Sequence, residues 1–88
     1  LPVKKEDIHV YDEFLGEDYG LPTPEGMEAI YLLARSEGIL LDPIYTGKTM
    51  AGLIELTKRG EIKQGERVLF WHTGGAPAVF AYNHAFVD

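Results

Sequence analysis

The chain contains no cysteine. Disulfides and thiolate metal sites are thereby excluded, and the usage fits a reducing, cytoplasmic setting. Basic residues are scarce: eight Lys and Arg stand against fourteen Asp and Glu, for a net charge of −6. A sequence-independent nucleic-acid binder needs clustered cations, and so does attachment to an anionic membrane surface; neither partner is expected. No apolar run approaches the roughly 20 residues of a membrane span. The first residues lack the apolar centre of a signal peptide. His9 and His84 have no second His or carboxylate at helical ligand spacing, so no metal site is expected.

What is present is an ordinary globular composition, 45% hydrophobic and 25% charged, over 88 residues. That length makes at most one small domain, 1–88 as a single unit, and a chain of this size buries only about 60% of its unfolded surface. It begins with Leu1 rather than Met, as a segment of a longer protein or a processed product would.

Ile8, Val10 and Phe14 alternate loosely, and a short edge strand is expected there. Gly16 to Pro24 is a loop rich in Gly and Pro. Thr23-Pro24-Glu25 is a helix start, with Thr as N-cap, Pro at the first helical position and an acid in the first turn. Met27, Ile30, Tyr31 and Ala34 follow helical spacing, Leu33 widens the stripe, and Gly38 is a C′ glycine. The helix is expected over Pro24 to Glu37.

Ile39-Leu40-Leu41 reads as a buried strand ended by Asp42-Pro43. A second helix starts near Gly47, with Met50, Leu53, Ile54 and Thr57 inward, and closes at Gly60. Arg67 to Trp71 carries four apolar residues in a row, as a strand covered on both faces does. Gly74-Gly75 breaks it, and Ala76-Pro77-Ala78 nucleates a last helix to about Tyr82. The expected fold is therefore α/β: a three-layer αβα fragment with a small parallel sheet.

Two segments echo each other. Asp42-Pro43-Ile44-Tyr45-Thr46-Gly47-Lys48-Thr49 opens one helix, and Trp71-His72-Thr73-Gly74-Gly75-Ala76-Pro77 opens the next. Strand, helix and strand from Ile39 to Trp71 fit the roughly 30 residues of a βαβ unit. Parallel strands would bring both Thr-Gly loops to the carboxyl edge of the sheet, where ligands of open α/β sheets sit. Helix N-termini there offer free N–H groups. Thr46 and Thr73 would add hydroxyls suited to a ring nitrogen or a carboxylate. Each threonine taken singly is a helix cap before it is a site.

Gly47-Lys48-Thr49 imitates the end of a phosphate-binding P-loop, but the motif needs Gly where Asp42 stands. Lys48 then reads as a solvated first-turn lysine. His72 reads as a hydrogen-bonded structural residue, and Glu25 and Glu28 as solvent-facing. Tyr19 and Tyr45 lie in Gly-flanked loops, where a phenol either covers apolar surface or serves as a proton donor or acceptor.

These residues carry a family resemblance. Glu37-Gly38-Ile39-Leu40-Leu41-Asp42-Pro43-Ile44-Tyr45-Thr46-Gly47-Lys48, with Gly60-Glu61, Gly65 and His72-Thr73-Gly74-Gly75-Ala76-Pro77-Ala78, resembles the C-terminal portion of the D-cysteine desulfhydrase and 1-aminocyclopropane-1-carboxylate deaminase family. Tyr19-Gly20-Leu21-Pro22 and Glu28-Ala29-Ile30 fit the same register.

The resemblance implies a pyridoxal 5'-phosphate enzyme of the tryptophan-synthase-β-like fold, a homodimer acting on a small amino acid. This chain would be its C-terminal segment. The Schiff-base lysine and the phosphate-cradling loop would lie in an N-terminal part of the same protein, since Lys4, Lys5, Lys48, Lys58 and Lys63 do not match that lysine's setting. Alone, the segment should not catalyse.

By position, Thr73 matches the residue that meets the cofactor's pyridine nitrogen, with Thr46 beside it and Gly74 packed close. Tyr45 and Tyr19 match two tyrosines that approach the substrate. In the family pattern the deaminases carry Glu at the position of Thr46 and commonly Leu at that of Thr73. The two threonines therefore favour thiol elimination, D-cysteine to pyruvate, sulfide and ammonia. The alternatives are ring-opening deamination on the same frame and a non-catalytic stand-alone domain derived from the enzyme.

Overall fold

A computed structural model of the chain describes residues 2–86. Helix α1 (Pro24–Glu37) forms over the range its caps predict. The Thr23 hydroxyl accepts the Gly26 N–H at 3.0 Å. At the other end Gly38 takes the left-handed conformation (φ 66°) that closes a helix without a Cβ clash, and its N–H returns to the Ala34 carbonyl.

Helix α2 (Thr46–Lys58) packs on α1. Its buried face is not the expected one. Thr46, Gly47, Lys48, Ala51 and Gly52 are buried, whereas Thr57 is exposed and turns its hydroxyl back to the Leu53 carbonyl. Small residues on this face let α1 and the Phe14 ring approach closely. A Cβ on Gly47 would lie 3.0 Å from the Ile30 side chain, and one on Gly52 would lie 3.1 Å from the Phe14 ring. The core is correspondingly small, with Ala29, Ile30, Leu41 and Ala51 as its buried hydrophobic residues. Periodicity of large apolar side chains misjudged the face because this contact is made of backbone and methyl groups.

A short helix α3 (Pro77–Ala81) follows, and single 3-10 turns cover Lys5–Asp7 and Asn83–Phe86. The last of these returns to α1, where the Tyr31 and Phe86 rings meet edge to face at 5.9 Å.

The expected αβα fragment with a parallel sheet is not what forms. Among the described residues there is no strand. The apolar runs at 39–41 and 67–71 share no backbone hydrogen bond; the Leu40 carbonyl is instead taken by the His72 ring. Leu69 is 83% exposed and Trp71 76%. Three residues at 39–41 offer too few ladder bonds to fix a strand, and an unbroken apolar run does not by itself specify one. The expected edge strand at 8–14 fails likewise: Val10 is exposed and 13–14 turn.

Candidate functional site

The site is organised by Asp42, which is fully buried. Its carboxylate accepts four hydrogen bonds. One oxygen takes the Thr46 hydroxyl at 2.6 Å and the Thr46 N–H at 3.0 Å. The other takes the Ile44 and Tyr45 N–H groups, each at 2.8 Å. The Asp42 carbonyl accepts the Gly47 N–H at 2.8 Å. The N–H groups of Thr46 and Gly47, the first two donors of α2, are thus satisfied by a single residue upstream and are not available to a ligand.

Burial pushes the Asp42 carboxyl up. The Thr46 hydroxyl and the N–H groups of Tyr45, Thr46 and Ile44 outweigh that effect and hold it below the ordinary carboxylate value. Thr46 is buried with it. Its hydroxyl gives its hydrogen to Asp42 and accepts the Asp42 N–H at 2.8 Å. Toward any third group it can only accept.

The second loop meets this one through two contacts. The His72 Nδ1 accepts the Gly74 N–H at 3.1 Å, so Nε2 carries the ring proton and donates to the Leu40 carbonyl at 2.8 Å. Gly75 lies against the carboxylate of Asp42: a Cβ there would come 2.7 Å from its carboxyl carbon. Gly74 and Gly75 also have φ of 103° and 94°, which favour glycine on their own account. The two loops therefore adjoin without the sheet that was expected to align them.

Thr73 is exposed, and its hydroxyl makes no hydrogen bond to another described residue. Beside it a Cβ on Gly74 would meet nothing within 4 Å, so the backbone there is bare and open. The Thr73 hydroxyl and the backbone at Gly74 are thus accessible to a ligand.

Tyr19 and Tyr45, 26 residues apart, share a hydrogen bond between their hydroxyls, and their rings meet edge to face at 6.0 Å. That bond, partial desolvation and the neighbouring Tyr19, Asp42 and Tyr82 raise the Tyr45 phenol above its ordinary value of 10.0. Tyr45 is therefore a neutral phenol at neutral pH.

Lys48 corrects another expectation. It is 6% exposed, and its Nζ donates to the Leu15 carbonyl at 2.7 Å. Glu25 and Glu28 are exposed. Among the described residues no cluster of His, Asp or Glu is arranged to hold a metal ion.

Sequence reasoning missed Asp42 and Lys48. For Asp42 a signal exists: an Asp followed by Pro, four positions before a helix-opening Thr, is a side-chain turn waiting to cap. For Lys48 the signal is its place among Gly47, Ala51 and Gly52, the small residues of the buried face.

A family model described as pyridoxal-phosphate dependent enzyme matches residues 2–74. The chain belongs to the family of pyridoxal-phosphate dependent enzymes, and pyridoxal phosphate is its cofactor. The matched residues include both tyrosines, the whole Asp42 loop and the second loop as far as Gly74.

Proposed function

We propose that the chain is the C-terminal segment of an enzyme that eliminates sulfide from D-cysteine, giving pyruvate and ammonia. On this reading it supplies the wall facing the ring nitrogen of the cofactor. The observation that carries the reading is the Asp42 carboxylate. All four of its hydrogen bonds are spent within its own loop. It is therefore unavailable to a ring nitrogen, and the hydroxyl left free to donate there is that of Thr73.

The bound cofactor supplies an electron sink for the pair of electrons left when the substrate α-proton departs. Thr73 would hold the ring nitrogen through its hydroxyl, Gly74 would let the ring edge approach the backbone, and Thr46, bonded to Asp42, stiffens the loop beside them. Hydroxyl partners leave the ring less electron-withdrawing than a carboxylate partner would. Loss of a thiol after α-proton removal tolerates that weaker sink; opening an unactivated cyclopropane ring does not. Tyr45, held as a phenol, donates its proton to the departing sulfur, and Tyr19 stands hydrogen-bonded behind it. The Schiff-base lysine and the phosphate-binding loop come from the N-terminal part of the same protein, and the enzyme works as a cytoplasmic homodimer.

The test is a pair of steady-state assays on the complete enzyme loaded with pyridoxal phosphate. D-Cysteine should yield sulfide, and 1-aminocyclopropane-1-carboxylate should yield little ring-opened product. Comparable rates on the two substrates sink the assignment. Tyr45→Phe should lower kcat for sulfide release by roughly 10²-fold, the usual worth of a positioned general acid.

A further inference from the structure

Lys48 is buried, yet it forms no ion pair among the described residues. Its Nζ reaches only main-chain oxygens: Leu15 at 2.7 Å and Asp18, more distantly, at 3.5 Å. Both belong to the loop that carries Tyr19. Lys48 itself stands three residues after Tyr45, in the first turn of α2, where the Thr49 N–H returns to the Tyr45 carbonyl. One side chain therefore bridges the segments that carry the two phenols.

The rest of the loop has little to hold it in place. Its own hydrogen bonds are short-range: Tyr19 N–H to the Asp18 side chain, and Leu21 N–H to the Asp18 carbonyl. Gly16 and Gly20 flank it at φ of 80° and 77°, lying beside Thr23 and the Tyr82 hydroxyl without a hydrogen bond to either. Tyr19 is 73% exposed and Tyr45 52%, so their mutual hydrogen bond competes with water. Among the described residues the Lys48 bonds are the only ones joining residues 15–18 to α2.

We propose that Lys48 is a positioning residue: by tying the 15–18 backbone to the first turn of α2, it sets the Tyr19 hydroxyl against that of Tyr45. The inference about the loop stands on geometry alone. Its kinetic consequence rests on the reading that the two tyrosines face the substrate.

A lysine stem can also matter through packing alone, and here its Cγ lies 3.6 Å from where a Gly26 Cβ would be. Lys48→Met separates the two roles, because it keeps the apolar stem and removes the donors. Hydrogen exchange of the complete enzyme should show amides 16–21 exchanging roughly tenfold faster in Lys48→Met, with α1 and α2 unchanged. Lys48→Arg, which retains donors, should restore part of the protection. On D-cysteine, kcat of Lys48→Met should fall about as far as in Tyr19→Phe, and the double variant should be no worse than either, since both act through one contact.

Unchanged exchange in Lys48→Met overturns the proposal, because the stem then suffices. Exchange rising equally over α1 and α2 also overturns it, because Lys48 then holds the core. So does a loosened loop in an active enzyme whose kcat is intact. A loosened loop in Lys48→Met, where the parent enzyme itself releases no sulfide, upholds the tie and rejects the D-cysteine reading.

Discussion

Two parts of the molecule are held by different means. From Thr23 to Arg59 the chain satisfies its own main-chain polar groups at short range: a Thr cap, a left-handed glycine, and an Asp that closes the start of the next helix. From Glu61 to Ala76 it contains no helix, leaves Val68, Leu69 and Trp71 exposed, and beyond the Glu61 and Ile62 N–H groups on the Leu56 carbonyl it meets the first part through the His72 imidazole and Gly75. The first part is specified by contacts close in sequence. The second takes its position from the first, and Asp42 is where the two meet.

Removing Asp42 should therefore have the largest effect. Asp42→Ala leaves the N–H groups of Ile44, Tyr45 and Thr46 and the Thr46 hydroxyl without their acceptor, a loss of about 2–3 kcal/mol in the unfolding free energy by denaturant titration. The same carboxylate gives the stability a pH dependence of known sign. Its folded value lies below the ordinary 3.8, so the unfolded chain takes up the proton first as pH falls. The stability it contributes is complete well above pH 3.8 and is lost as pH drops through the lower folded value. Acid unfolding of Asp42→Asn should lack that component. If its acid transition coincides with that of the parent, another carboxylate governs it.

Gly75→Ala tests the junction from the other side. A methyl would meet the Asp42 carboxylate, and the backbone at φ 94° resists any side chain. The expected cost is about 1–2 kcal/mol, the scale of local backbone strain. The hydrogen-exchange map should separate the parts: the Gly74 amide loses protection while α1 keeps its own. Loss shared equally by α1 would mean that the two parts form one cooperative unit.

The difference between the parts is also the difference between what could and could not be read in advance. α1 was legible to the residue because its cap, its proline and its closing glycine all act within a few positions. The inner face of α2 was not, because Gly47, Ala51 and Gly52 bury by being small, and hydropathy patterns weigh large side chains. The strands failed for a further reason. Pairing is a non-local event, and the Leu40 carbonyl finds a His72 nitrogen rather than a backbone partner. The two tyrosines stand out in their loops and in the resemblance, but their contact, and the Lys48 bonds to the loop beside it, join residues 26 to 33 positions apart that no local pattern links. The Thr-Gly echo drew attention to the threonines, whereas the group that joins the two loops is the aspartate before them.

His72→Ala should be milder than either change at Asp42 or Gly75. It removes two hydrogen bonds from a ring that water reaches, for a loss below about 1 kcal/mol. The change should concentrate at Gly74, whose amide loses its acceptor. His72→Asn tests geometry, since its shorter amide cannot span the Gly74 N–H and the Leu40 carbonyl as the ring does. Protection at Gly74 that survives in both variants would transfer the holding role to Gly75 alone.

The smallest effect is expected at Arg59. Its guanidinium holds Glu13 through paired bonds of 3.2 and 3.0 Å, reaches Glu55 at 3.4 Å, and lies over the Phe14 ring at 5.7 Å. Every charged member is exposed, and such bridges are screened by salt and contribute little to global stability. Arg59→Ala should leave the unfolding midpoint within error. It should nevertheless release the Glu13 carboxyl, which the Arg59 hydrogen bond now holds below 4.5, to its ordinary value in an NMR titration. The sharper reading is local. Arg59 ties residues 13–14 to the end of α2, and Lys48 ties residues 15–18 to its beginning. If the exposed tie can be cut without loosening residues 16–21, the buried one is sufficient for the tyrosine loop. If cutting it loosens that loop as well, the loop and the segment before it move as one body, and the short-range self-sufficiency of the first part stops at Thr23.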